Sequence, residues 1–240
     1  HLPFKERCHY IMNTTVAGLE QADCVLLIGT HPRHEAPLVN ARLRKAYLRN
    51  HTSFGLIGPH LELTYPYEHI GEHPHDLLKI VKGQHPFSQT LASARKPAVI
   101  LGQAVFNHQD TAALLSGVQT LLDQYPFIQK GWNGYNVLHT AAARVGGLDI
   151  GFVPSAGGYA TQQILKSCQT GEIKAIYLLG ADEIPMADLG ECFVIYQGHH
   201  GDAAAQRADV ILPGCAYTEK TATYVNTEGR AQRSQQAVSP

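Results

Sequence analysis

Cys24-Val-Leu-Leu-Ile-Gly29 is a short apolar run closed by a glycine, and its form decides how the rest of the chain is read. Four more runs share it: Phe54-Gly-Leu-Ile-Gly58, Ala98-Val-Ile-Leu-Gly102, Ala175-Ile-Tyr-Leu-Leu-Gly180 and Phe193-Val-Ile-Tyr-Gln-Gly198. Asp209-Val-Ile-Leu-Pro-Gly214 is a sixth variant. Continuous Val, Ile and Leu without polar alternation is the pattern of strands covered on both faces. The closing glycine lets the backbone turn where a side chain would clash.

Helical signals lie between most of these runs. Glu35 to Tyr47 places Val39, Leu43, Ala46 and Tyr47 on one face, and Pro37 is tolerable only in its first turn. Arg42, Arg44, Lys45 and Arg49 crowd its C-terminal half, where positive charge complements the helix dipole. Asp110 is placed to cap a helix carrying Leu114, Val118, Leu121 and Leu122. Asn136 to Val145 also carries helical spacing, within a glycine-rich stretch from Tyr125 to Ser155 that reads as loop and short helix. Alternating strands and helices predict an α/β protein of two Rossmann-like lobes, mainly parallel sheet flanked by helices. The polar, proline-bearing stretch from His85 to Pro97 suggests a division into a first lobe at 1–90 with two strands and a second at 91–240 with four.

The 240 residues are 44% hydrophobic and 16% charged, which is globular composition. Nineteen Lys plus Arg against twenty Asp plus Glu give no electrostatic reason to expect nucleic acid or an anionic membrane. No apolar run approaches the roughly 20 residues of a membrane-spanning helix. The opening His1-Leu2-Pro3-Phe4 has neither an initiator Met nor a signal-peptide pattern, which suggests a segment of a longer protein. Cys8, Cys24, Cys168, Cys192 and Cys215 match no disulfide framework and no C-x-x-C metal signature. Cys24 and Cys192 open apolar runs and read as buried free thiols of a reducing compartment.

In open α/β sheets ligands bind beyond the carboxyl ends of the strands, so those ends are where chemistry is sought. Gly29-Thr30-His31-Pro32-Arg33 could offer N–H groups, a hydroxyl and a guanidinium to a phosphate. The preferred reading is a tight turn with Arg33 in solvent or in a salt bridge, because no G-x-G-x-x-G or Walker pattern follows any strand. Gly198-His199-His200-Gly201-Asp202 has an acid/base or metal-ligand composition, although adjacent histidines seldom aim at one metal and Asp202 reads as a helix cap. Glu72-His73-Pro74-His75-Asp76 reads as a solvated loop with Asp76 capping the next helix, and Asp182-Glu183 as a solvated turn. No G-x-S-x-G elbow supports a hydrolase.

The string from Ala208 through Asp-Val-Ile-Leu-Pro-Gly214 and Thr-Tyr-Val-Asn-Thr-Glu-Gly229 to Gln232 resembles the strand–turn–loop element of molybdopterin oxidoreductases. Tyr196-Gln-Gly-His-His-Gly-Asp202, Gly29-Thr-His-Pro-Arg33 and Glu35-Ala-Pro-Leu-Val-Asn-Ala-Arg-Leu-Arg-Lys45 sharpen the match. With them the chain, from about Tyr10 to its end, resembles the C-terminal part of the mitochondrial 75 kDa iron–sulfur subunit family of respiratory complex I. The resemblance implies a molybdopterin-oxidoreductase-like fold in which both lobes belong to one larger domain. It further implies a structural, non-catalytic role in the matrix arm, supporting NADH-to-ubiquinone electron transfer carried out elsewhere. Iron–sulfur clusters are then expected in the N-terminal part of the family's chain or in a partner subunit, and none in this chain.

On that reading no catalytic, cofactor-binding or metal residue carries over. The partners are other matrix-arm subunits, above all the iron–sulfur part of the 75 kDa subunit, with no nucleic acid and no membrane insertion. The location is the matrix side of the mitochondrial inner membrane. His31 stands where the family commonly has Asn, and the bulkier ring argues against cofactor binding at that turn. The alternative is a fragment of an active molybdopterin oxidoreductase, in which Thr30, Arg33 and the His199 region hold a pterin nucleotide.

Overall fold

A computed structural model describes residues 6–240. The opening His1 to Phe4, read above as lacking a leader pattern, lies outside the described residues. The strands are β1 Cys24–Ile28, β2 Ser53–Ile57, β3 Glu68–Gly71, β4 Pro97–Leu101, β5 Ile128–Gln129, β6 Trp132–Asn133, β7 Tyr135–Val137, β8 Ala175–Leu179, β9 Phe193–Gly198, β10 Val210–Pro213, β11 Thr223–Val225 and β12 Ala231–Arg233. The helices are α1 Pro32–Glu35, α2 Pro37–Asn50, α3 Leu77–Val81, α4 Phe87–Ser93, α5 Gln103–Phe106, α6 Thr111–Gln124, α7 Arg144–Asp149, α8 Thr161–Gln169 and α9 Ala203–Arg207. All six apolar runs singled out above are strands.

The described chain forms two compact units. One runs to Asp149 and takes in Val225–Ala231, and the other holds Ile150–Tyr224 with Gln232–Pro240. The first unit contains a five-stranded parallel sheet in the order β3-β2-β1-β4-β7. Its central strand explains the unbroken apolar run. Cys24, Leu26 and Ile28 join Val99, Leu101, Leu77, Phe87 and Leu121 in one buried cluster. Val25 and Leu27, on the opposite face, join Ala98, Ile100, Leu56, Val39 and Leu43 in another. A strand with a core on each side has no position left for a polar residue.

This topology corrects the expected division at 85–97. β4 begins at Pro97 and pairs with β1 along its whole length, from Cys24 opposite Pro97 to Ile28 opposite Leu101. The stretch from His85 to Pro97, which includes α4, is therefore a crossover inside one sheet, and that sheet holds five strands rather than two. The helix expected over Asn136 to Val145 is also corrected. Tyr135–Val137 is the strand β7, paired with Val99, Ile100 and Leu101, and the helix there begins only at Arg144. Sheet pairing and the hydrogen bonds of the fully buried Asn136 side chain outweigh the apolar spacing that suggested a helix.

α2 lays Val39, Leu43 and Ala46 into the core as its pattern predicts, while Tyr47 is only half-buried. Its basic half converges on one carboxylate. Glu20 accepts from Lys45 Nζ at 2.7 Å, from Arg42 and from Arg49, and its backbone carbonyl accepts from Asn50. Lys45 first, then Arg42, pulls the Glu20 carboxyl down from 4.5 to about 2. A depressed carboxylate stabilises the fold above its unfolded pKa, and that contribution disappears as pH falls through the folded value. Between pH 4.5 and about 2, wild type should lose stability relative to Glu20→Gln, and parallel thermal melts across that window measure the convergence.

The second unit carries the parallel sheet β10-β9-β8. Its core gathers Leu178, Val194 and Tyr196 from the sheet with Leu165, Cys168, Leu189 and Ala204 from α8, the turn at 186–189 and α9. Among the described residues the other face is exposed. Tyr177, Ile195 and Val210 lie in register across it, followed by Leu179, Gln197 and Leu212. Leu179 is 72% exposed and Phe193 48%.

Candidate functional site

The strand order reverses between β1 and β4, where one crossover goes toward β2 and the other toward β7. That switch point is where a doubly wound sheet binds its ligand. The turn after β1 carries the donors a phosphate would use, and they are occupied. Thr30 Oγ1 donates to Glu35 Oε2 at 2.8 Å and the His31 N–H donates to Glu35 Oε1 at 2.9 Å. The carboxylate at the end of α1 thus folds back over the turn that leads into it. An incoming anion would have to displace this negative charge or sit against it.

Arg33 is engaged by Glu62. It donates to the Glu62 carbonyl at 3.1 Å and lies 3.3 Å from the Glu62 carboxylate. The tight turn with a salt-bridged Arg33 is therefore the arrangement observed. On the β4 side the turn is equally close. The Gly102 N–H donates to the Ile28 carbonyl at 2.9 Å, and a Cβ on Gly102 would stand 2.1 Å from the Gly29 carbonyl oxygen. Only glycine permits these two strand ends to approach so near. His31 stacks on His34 with ring centroids 4.0 Å apart, and its buried Nδ1 has no hydrogen-bond partner.

Beside the carboxyl end of β7 lies a recess of about 300 Å³, lined by Ala36, Val39, Leu138, His139, Val225 and Thr227 among others. This is the low end of small-molecule sites. His139 Nε2 lies 2.6 Å from the Tyr10 carbonyl, and burial holds its pKa below the ordinary histidine value.

The ends of β8 and β9 bring together two motifs that lie apart in the sequence, Asp182-Glu183 and Gly198 to Asp202. The neighbouring Asp182 carboxyl first, then desolvation, raises the Asp202 carboxyl above the usual carboxylate range. The exposed His199 and His200 rings, tilted with centroids 4.3 Å apart, partly offset that rise. Asp202 occupies the cap position of α9, without a side-chain bond into the helix, and Glu183 stays exposed.

Glu72 to Asp76 departs from the solvated loop expected of it. Asp76 is 3% exposed; its carboxylate accepts from the His73 N–H at 2.9 Å and from Lys79 Nζ at 2.7 Å. A Cβ on Gly71 would meet Asp76 Oδ2 at 2.1 Å, so the carboxylate fills the space a side chain there would need. Asp76 is thus a buried support of the turn between β3 and α3, where its side chain makes no cap bond. Apart from Lys79, three residues on, composition could not reveal this, because the other partners are a backbone N–H and a glycine's empty side. The five cysteines are unpaired, with Cys24 and Cys192 buried as expected of free thiols.

The model of the molybdopterin oxidoreductase family matches residues 2–240. The chain is 46% identical over 233 residues to the NADH-ubiquinone oxidoreductase 75 kDa subunit of Reclinomonas americana, covering 96% of this chain and 33% of that protein. It is 45% identical over 235 residues to the mitochondrial NADH-ubiquinone oxidoreductase 78 kDa subunit of Neurospora crassa, covering 96% and 30%. It is 43% identical over 233 residues to the mitochondrial NADH dehydrogenase [ubiquinone] iron-sulfur protein 1 of Solanum tuberosum, covering 97% and 30%. The chain spans about a third of the length of these relatives.

Proposed function

This chain belongs to the molybdopterin oxidoreductase family, and from that premise we propose that it is a structural, non-catalytic module of the matrix arm of mitochondrial respiratory complex I. It supports NADH-to-ubiquinone electron transfer carried out by the iron–sulfur part of the subunit and its neighbours. Its partners are those matrix-arm components, and its place is the matrix side of the inner membrane. Among the described residues no helix is long and apolar enough to cross a membrane.

The observation that carries this reading is the exposed face of the second sheet. A parallel sheet is stable with both faces covered, and within its own unit, among the described residues, the face bearing Tyr177, Leu179, Phe193, Val210 and Leu212 is exposed. Contiguous apolar surface of this kind marks association. The pterin-nucleotide alternative meets the Glu35 carboxylate on the very donors it would need.

Leu179→Lys combined with Leu212→Lys, introduced in the full-length polypeptide, tests the reading. Both side chains already face water, so the fold should hold, with stability changed by no more than about 0.5 kcal/mol. The amount of assembled complex recovered should fall severalfold. Recovery at the wild-type level would contradict docking through this face.

A further inference from the structure

Glu6, Cys8 and His9 form a cluster that nothing in the family reading uses. A short turn, Arg7–His9, folds them together so that one ligand atom from each lies within 4.8 Å of the others. The Cys8 thiol donates to Glu6 Oε2 at 3.6 Å, and the Glu6 N–H donates to His9 Nδ1 at 3.4 Å, which leaves His9 Nε2 as the ring atom for a cation. Two ligands bound tetrahedrally to zinc, with Zn–S about 2.3 Å and Zn–O about 2.0–2.2 Å, stand about 3.5 Å apart. The observed separation already matches that edge.

The turn is pinned from outside. Asn13 Nδ2 donates to the Cys8 carbonyl at 2.8 Å, and Tyr135 Oη donates to the His9 carbonyl at 3.3 Å. Arg7, the nearest cation in sequence, is drawn off by both Asp149 carboxylate oxygens at 2.9 Å and by the Gly229 carbonyl at 2.7 Å. Its charge is therefore spent on other partners. Cys8 and His9 also line a groove of about 910 Å³ that runs along α6, bordered by Thr111, Leu115 and Tyr135. The cluster is open to solvent from that side.

We propose that Glu6, Cys8 and His9 are three ligands of a zinc-class divalent cation, with water in the fourth position. On binding, the Cys8 thiol releases its proton to solvent and the thiolate takes the metal, while the Glu6 carboxylate and the neutral His9 imidazole complete the protein's share. The sulfur ligand selects zinc or cobalt over magnesium and calcium.

Cobalt(II) alone, titrated into the reduced chain, supplies the readout. A thiolate-to-cobalt charge-transfer band should grow to saturation at one equivalent and vanish on addition of zinc. Cys8→Ser should abolish the band, His9→Ala should weaken binding at least about tenfold, and Cys215→Ser should leave it unchanged. Zinc should raise the melting temperature of wild type and not of Cys8→Ser. Absence of a band at one equivalent, or a band that survives Cys8→Ser, overturns the proposal.

Discussion

Gly102→Ala is expected to destabilise the first unit by at least about 3 kcal/mol, at the upper end of what overpacking costs. The added Cβ would lie 2.1 Å from the Gly29 carbonyl oxygen, 2.5 Å from Thr30 Cβ and 2.7 Å from the Gly29 carbonyl carbon. Two of these atoms are backbone, so no rotamer change relieves the contact. The strand end must move, and with it the Gly102 N–H bond to Ile28 and the turn over which Glu35 closes. Gly147→Ala is the matched control, since nothing lies within 4 Å of its Cβ position and the residue sits inside α7. Alanine there should be neutral or slightly stabilising. Urea unfolding of the two variants side by side measures the difference. Equal midpoints would show that the strand ends are not held as described.

The second large effect is expected at Asn136, whose side chain is fully buried in β7. Its Oδ1 accepts from the Thr14 N–H at 3.0 Å and the Thr14 hydroxyl at 2.9 Å. Its Nδ2 donates to the Val99 carbonyl at 3.2 Å and the Gly134 carbonyl at 3.0 Å. One amide thus ties the segment before β1 to β4 and β7. Asn136→Ala leaves the buried Thr14 N–H without an acceptor and opens a cavity, and each unsatisfied buried group costs about 1–3 kcal/mol. The expected loss is about 3 kcal/mol. Hydrogen exchange should show it first in the amides of residues 12 to 14. Stability within about 0.5 kcal/mol of wild type would mean the network is replaceable by water.

β1, β2, β4, β8, β9 and β10 announced themselves because their apolar runs end in glycine. β3 did not: Glu68-His-Ile-Gly71 is an edge strand with one buried side chain, so it carries no apolar run. β7 was masked by Val137, Leu138, Ala141 and Val145, whose spacing suits a helix as well as it suits a strand followed by loop. The division at 85–97 failed because polar composition marks an exposed crossover and a domain boundary alike. At the site, Arg33 in a salt bridge followed from the lack of a phosphate-binding pattern. Glu35 folding back on Thr30 and His31, Asp182 meeting Asp202, and Asp76 filling the space beside Gly71 depend on where the chain returns in space. Glu6, Cys8 and His9 match no ligand spacing rule, because adjacent residues converge only where the turn folds them together.

On the proposed function, this chain stabilises an electron-transfer assembly without carrying its redox centres. Iron and molybdenum analysis with an optical spectrum, on the chain alone and on the assembly that contains it, tests this. No iron and no molybdenum should accompany the chain, and the assembly should show iron–sulfur absorption. Stoichiometric molybdenum travelling with the chain itself would contradict it and identify a molybdopterin enzyme whose remaining ligands lie in other segments.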